Sequence, residues 1–240
     1  MTFINNPGNE NLRRMFDRVA GRYDLLNRVI SFRLDGWWRK KTVSAVVRSG
    51  DEKILDLGTG TGDLTFAASD SLHGHGKVIG LDFSFKMIQL ARVKQRNHNS
   101  SRTEFLQADA LLPPFRDQVF DGVMTGFVLR NVSDLRLFFI QALRVLKPGG
   151  RMASLDMFPP SAGIFGTFYA FYFYRFMPWI GGFLARDRMA YQYLSDSVRQ
   201  FVPPERVSEL LEQCGFEQVT LQRFLFGAVC LHVANKPHQK

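Results

Sequence analysis

The 240-residue chain has no run of about 20 uncharged apolar residues, the length a bilayer-spanning helix needs, so a transmembrane segment is not expected. Its first ten residues are polar, and no signal peptide is expected from them. Cysteine is scarce. Cys214 and Cys230 are the only two, without metal-ligand spacing, which leaves no disulfide framework and no metal site and fits a reducing, cytoplasmic setting. Acidic residues are outnumbered, 22 against 31 basic, for a net charge of +9. Such a surface favours nucleic acid, an anionic membrane or an acidic ligand without choosing among them. Internal repeats and low-complexity stretches are absent. What remains is an ordinary globular balance, 45% hydrophobic and 22% charged, long enough for one domain with a sizeable core.

One stretch organises the chain: Ile54-Leu55-Asp56-Leu57-Gly58-Thr59-Gly60-Thr61-Gly62-Asp63. An apolar run reads as a buried strand, and a glycine-threonine loop leads from it into a helix. Glycines at alternate positions let the backbone turn sharply and approach a ligand closely. The spacing is not the dinucleotide fingerprint, because the third glycine comes one residue early. It suits a nucleotide-like ligand without a pyrophosphate; a tight turn alone is the bland alternative.

Residues 11–48 read as helical, interrupted at Gly21 and Gly36 and crowded with arginine and lysine. From residue 53 strands and helices alternate. Strands are expected at 53–57, 77–81, 103–107, 119–125 and 151–156, with helices at 61–70, 85–96 and 135–146. Lys147-Pro148-Gly149-Gly150 stops the last of these helices. A helix at 203–214 and a closing antiparallel pair at 217–224 and 228–234 follow. This repetition predicts an α/β fold, a mainly parallel seven-stranded sheet with an antiparallel C-terminal strand and helices on both faces. Residues 1–50 form an N-terminal helical cap on a single domain spanning 1–240, and 157–200 an aromatic-rich helical insertion. Within it, residues 164–185 hold ten aromatic side chains between Phe165 and Phe183. A buried helix is one reading; an apolar cover over a substrate pocket, able to touch lipid, is the other.

In an open parallel sheet ligands sit at the carboxyl ends of strands. Three such ends carry a consistent set: the glycine loop with Asp56 before it and Thr61 within it, Asp82 after the second strand, and Asp109-Ala110 after the third. Asp82 is placed to accept both hydroxyls of a ribose. Asp109 is placed to accept from an adenine amino group, with the Ala110 N–H facing the ring. Each carboxylate alone reads as a turn or helix cap; three in succession make a site.

The order of these motifs resembles class I, Rossmann-like S-adenosylmethionine-dependent methyltransferases. More narrowly it resembles the ubiquinone/menaquinone biosynthesis C-methyltransferases of the UbiE/MenG type. The match rests on the stretch from Phe16 to Asn27, the glycine loop, Phe127-Val128-Leu129-Arg130-Asn131-Val132-Ser133-Asp134, and Tyr191-Gln192-Tyr193-Leu194 with Cys214-Gly215-Phe216. It covers nearly the whole chain. The resemblance implies S-adenosylmethionine held by Asp56, Gly58, Gly60, Thr61, Gly62, Asp82, Asp109 and Ala110. It also implies methylation of a ring carbon of a prenylated quinol, of demethylmenaquinol or polyprenyl-benzoquinol type, with no metal.

That chemistry needs a phenol to lose its proton. A free phenol has a pKa of about 10, and a nearby cation lowers it, at about 1.4 kcal/mol per unit. Arg130 is the candidate cation and Tyr23 a candidate for orienting the ring; a strand-end salt bridge and plain helix packing are their structural alternatives. His232 and Asp156 are the candidate bases. Val128, Arg33, Arg186 and Phe158-Pro159-Pro160 depart from the family pattern around the acceptor pocket. Methylation of another hydrophobic phenol or lipid therefore stays open, as does a non-catalytic cofactor-binding role in a quinone-synthesis assembly. A basic surface attracts anionic lipid by about 1 kcal/mol per nearby Lys or Arg, so peripheral contact with the inner membrane face is expected. Nucleic acid is not expected as a partner: aromatics do not interleave with Lys and Arg, and the fourth strand lacks an Asn-Pro-Pro-aromatic motif. The sequence leaves a homo-oligomer open.

Overall fold

A computed structural model describes residues 7–22, 24, 28, 31, 33–98, 100–159 and 188–238. The strands are β1 (Lys53–Leu57), β2 (Lys77–Asp82), β3 (Thr103–Gln107), β4 (Phe120–Gly126), β5 (Leu146–Met157), β6 (Glu217–Phe224) and β7 (Val229–Asn235). The helices are α1 (Pro7–Val19), α2 (Asp35–Val46), α3 (Asp63–Ser69), α4 (Phe85–His98), α5 (Leu135–Val145), α6 (Arg188–Gln200) and α7 (Pro204–Gln213). The strands form one sheet in the order β3-β2-β1-β4-β5-β7-β6. The pairs from β3 through β5 are parallel, and β7 runs antiparallel to both β5 and β6. The expected antiparallel closing pair is present, with β7 wedged inside and β6 at the edge.

Burial on both faces explains the continuous apolar runs. Period-2 alternation sends Ile54, Met124 and Leu155 to one face, against Trp38, Val43 and Val46 of α2 and Leu64 and Ala68 of α3. Leu55, Leu57, Val123 and Met152 go to the other, against Phe138, Phe139 and Ala142 of α5 and Val207 and Leu211 of α7. Asp134 starts α5 by accepting from the Leu137 N–H at 2.9 Å, an N-cap that satisfies one orphan donor.

Three boundaries differ from the sequence reading. Gly36 does not interrupt a helix; it is the second residue of α2. The left-handed backbone lies at Arg33, φ +64°, a conformation that costs a residue with a Cβ about 1–2 kcal/mol. α3 begins at Asp63, because Gly62 is itself left-handed at φ +91°. Lys147–Gly150 does end α5, but it lies within β5 as an irregularity. The pairing jumps from Phe120–Leu146 to Gly122–Arg151, and Gly149 turns at φ +72°. The aromatic stretch 164–185 and Arg186 lie outside the described residues. No described helix is long and apolar enough to cross a membrane.

Candidate active site

The strand order reverses between β1 and β4, and crevices at such switch points hold ligands. Gly58, Gly60 and Gly62 all have positive φ, at 76°, 56° and 91°. The Gly58 and Thr59 N–H groups both donate to the Leu81 carbonyl, at 2.8 and 2.9 Å, which folds the loop back onto β2. A side chain at 58 would strike Val128, 2.4 Å from the added Cβ, so Gly58 lets the β4 end pack on the loop.

Asp82 clamps this arrangement. Its Oδ2 accepts from the Gly60 N–H at 2.8 Å and its Oδ1 from the Ser84 N–H at 2.9 Å. Burial pushes its pKa up to about 6. The two backbone bonds oppose the rise, and the nearby Asp17 charge adds to it. Asp109 Oδ1 accepts from the Leu111 N–H at 2.9 Å, which sets the turn after β3. Gly58, Gly60, Asp82, Asp109 and Ala110 line one cavity of about 400 Å³. That falls in the ordinary range of small-molecule sites, roughly 300–1,000 Å³.

α1 closes one side of the cavity with Leu12, Arg13 and Phe16. It is held by Ser84 Oγ donating to Asp17 at 2.5 Å and by the Phe16 ring set edge-on to Phe83, 6.3 Å away. Arg13 is the one basic side chain among the described residues of the lining.

Asp56 and Thr61 are turned away from this cavity. Strand alternation puts Asp56 on the α3 face, fully buried, where its Oδ2 accepts from Thr65 at 2.8 Å. Burial raises its pKa to about 6, against the Thr65 and Thr59 hydrogen bonds. The Thr61 hydroxyl donates to Asp24 at 2.5 Å and accepts from Lys94 at 2.9 Å. Lys94 also reaches Asp63 at 2.6 Å and Asp24 at 2.5 Å, so the loop is tied to the N-terminal segment.

At the end of β4 the cavity wall is Phe127, Val128 and Asn131. Phe127 holds a left-handed backbone, φ +63°. Two guanidinium groups approach its ring, Arg39 at 5.8 Å and Arg130 at 5.9 Å from the ring centre. Arg130 Nη1 donates to Asp156 Oδ1 at 2.5 Å in a buried ion pair. The Tyr193 hydroxyl on α6 donates to Asn131 Oδ1 at 2.9 Å, so the Leu-Arg-Asn and Tyr-Gln-Tyr stretches meet in space. Burial raises the Tyr193 pKa, partly offset by the Arg130 charge.

His232 lies apart from the cavity lining, in β7. Its Nε2 is 2.9 Å from the Pro204 carbonyl. Burial pushes its pKa down to about 4, so its imidazole is neutral at pH 7. In the β5–β7 ladder it stands opposite Ser154, two residues from Asp156 and on the same sheet face. Tyr23 lies outside the described residues. The sequence reading missed Arg13, Phe83 and Met87 as lining residues. They stand on an N-terminal helix and after β2, where nothing in the local pattern marks a ligand; only the Ser84 cap beside Asp82 leaves a trace.

The model of the ubiE/COQ5 methyltransferase family matches residues 5–236. The chain is 39% identical over 223 residues to the demethylmenaquinone methyltransferase of Thermus thermophilus, covering 93% of this chain and 100% of that one. It is 38% identical to the enzyme of the same name from Thermotoga maritima over 223 residues, covering 92% and 94%. Among solved structures it resembles a SAM dependent methyltransferase from Aquifex aeolicus, with a TM-score of 0.63, 19% identity and coverage of 85% of this chain and 92% of that one. The [4+2]-cyclase SpnF gives a TM-score of 0.65 at 19% identity, covering 85% and 82%, so this fold alone does not fix a reaction.

Proposed function

The chain belongs to the ubiE/COQ5 methyltransferase family, and from that premise we propose that it transfers the methyl of S-adenosylmethionine to a ring carbon of demethylmenaquinol. The observation that carries this reading is the single cavity at the switch point. There the glycine loop, Asp82, Asp109 and Ala110 share a wall with Phe127 and Asn131 of the β4 end.

The cavity's donor set fits the cofactor. Glycines 58 and 60 allow close backbone approach, and Asp82 and Asp109 keep oxygen lone pairs for ribose hydroxyls and an adenine amino group. Arg13 supplies a cation for the amino-acid carboxylate. Asp56, Thr61 and Gly62 act from behind, holding the loop in shape. Residues 1–50 act as a cap, through α1. Bound S-adenosylmethionine supplies an already activated methyl, so the acceptor carbon needs only to become nucleophilic. Arg130 provides for that, its positive charge behind the Phe127–Asn131 wall favouring the phenolate. Asp156 holds Arg130 in place. Asp156 Oδ2 and His232 Nδ1 are buried acceptors on this sheet face without a hydrogen-bond partner; we assign the departing proton to Asp156, with His232, whose lowered pKa disfavours holding it, as the second candidate. Tyr23 is retained as the residue that orients the ring. Holding the ring carbon in line with the methyl supplies much of the remaining rate.

The prenylated acceptor resides in the bilayer, so the reaction takes place at a membrane surface, and the basic balance of the chain suits an anionic one. Mass spectrometry of membrane quinones from cells with and without the protein tests the assignment. Loss of the protein should leave a naphthoquinone short of one ring methyl; an unchanged quinone profile would refute it.

A further inference from the structure

Helix α2 runs from the carboxyl edge of the sheet to its amino edge. Near its start the Trp37 ring meets Phe224, the last residue of β6, at 5.1 Å, and the Arg39 guanidinium lies over Phe127. Near its end the Ala45 carbonyl accepts from Arg151, where the regular β4–β5 pairing begins. The turn between β6 and β7 is at the same carboxyl edge, since the Phe158 N–H, just past β5, donates to the Ala228 carbonyl at 2.9 Å. The cavity opens on this edge too.

Large apolar side chains are exposed along it. Leu34 is 38% exposed, Trp37 49% and Phe226 60%. Leu225, Phe226 and Gly227 all have positive φ, 46°, 56° and 87°, so two residues with side chains hold a strained backbone at the tip of this turn. Basic side chains flank the patch. Arg33, Lys40 and Lys41 are exposed beside it, and Lys41 Nζ lies 5.6 Å from the Trp37 ring centre. Exposed aromatic and aliphatic groups with a basic rim are the composition of a surface that settles into the headgroup layer of an anionic bilayer. The patch and the cavity share the carboxyl edge of the sheet, a placement that a bilayer-resident acceptor explains and a soluble partner protein does not.

We propose that Leu34, Trp37 and Phe226, with Arg33, Lys40 and Lys41, form the face by which the enzyme docks on anionic lipid, setting the carboxyl edge of its sheet against the bilayer. The inference rests on the acceptor being a bilayer-resident quinol, which then reaches the cavity without carrying its prenyl tail through water.

Flotation of the full chain with phosphatidylcholine vesicles, with and without phosphatidylglycerol, tests it. Wild type should float with the anionic vesicles and not with the neutral ones. Trp37→Asp with Phe226→Ser should cut the bound fraction about tenfold or more. So should Lys40→Glu with Lys41→Glu, a pair of exposed positions that tests the face even if the first variant folds poorly. Each variant should keep the wild-type rate on a short-prenyl demethylmenaquinol dissolved in detergent. Wild type that fails to float, or variants that float as wild type does, would overturn the docking face. Failure of wild type to methylate the dissolved quinol would instead strike the acceptor reading, with flotation still deciding the face.

Discussion

At Asp82 burial and ligand recognition oppose each other. Its folded pKa of about 6 lies above the ordinary value of 3.8, so the folded state binds the proton more tightly than the unfolded chain does. The apo protein therefore gains about 3 kcal/mol from this group as pH falls from about 6 to about 4, and has none of it above pH 6. Asp56 has the same sign. A thermal melt of the apo protein should show a higher midpoint at pH 5 than at pH 7. Cofactor affinity should move the other way, falling below pH 6, because only the ionised carboxylate accepts at both oxygens. In Asp82→Asn one terminal atom becomes a donor and faces the Gly60 or Ser84 N–H. Calorimetric titration should show binding weakened by roughly 1.5–3 kcal/mol. Arg130 and Asp156 allow anchor and catalyst to be separated. Arg130→Met leaves a buried carboxylate unpaired and should cost about 3–5 kcal/mol in a denaturant titration. Adding Asp156→Leu should recover most of that stability. Turnover should stay lost in the double variant if the pair acts on the quinol, and return if it only anchors the strand end.

Among the elements, α1 does most to convert the sheet edge into an enclosed site. Its hold on the sheet is polar and narrow: Asp17 on Ser84, Phe16 against Phe83, with Asp24, Lys94 and Thr61 fastening the segment after it. Ser84→Ala should raise the cofactor dissociation constant several-fold and speed amide exchange in α1 while leaving β1 and β4 protected. Unchanged exchange would show that the contact does not hold the helix. The elements themselves were legible because apolar runs of strand length alternate with helical stripes, and Gly or Pro stands at their ends. The irregularities were not. Arg33 takes the left-handed turn that glycine usually takes, while Gly36 sits in a helix, so residue type misplaces the break. Lys147-Pro148-Gly149-Gly150 reads as a stop but serves as a bulge inside β5, a pairing that only the neighbouring strand reveals.

For the molecule as a whole, the site was legible where it depends on strand ends and obscure where it depends on side-chain direction. Gly58, Gly60, Asp82, Asp109 and Ala110 lie at or just past strand ends, and they share one cavity. Asp56 lies inside β1, in register with Gly80 rather than at the strand end, and its side chain is buried against Thr65 of α3. Thr61 sits within the loop yet turns towards Asp24 and Lys94, residues 37 and 33 positions away along the chain. Arg13 reaches the site from an element that no strand-end rule covers. The basic excess, spread along the sequence, acquires meaning only where Lys40, Lys41 and Arg33 gather beside Trp37. Whether this assembled edge methylates a quinol at carbon is read from the product formed on incubation with methyl-labelled S-adenosylmethionine and reduced demethylmenaquinone. The expected product is a menaquinol carrying one labelled methyl on the naphthoquinol ring carbon, with the label lost in Asp82→Asn at limiting cofactor. Label on oxygen, or cofactor bound with no label transferred, would contradict it.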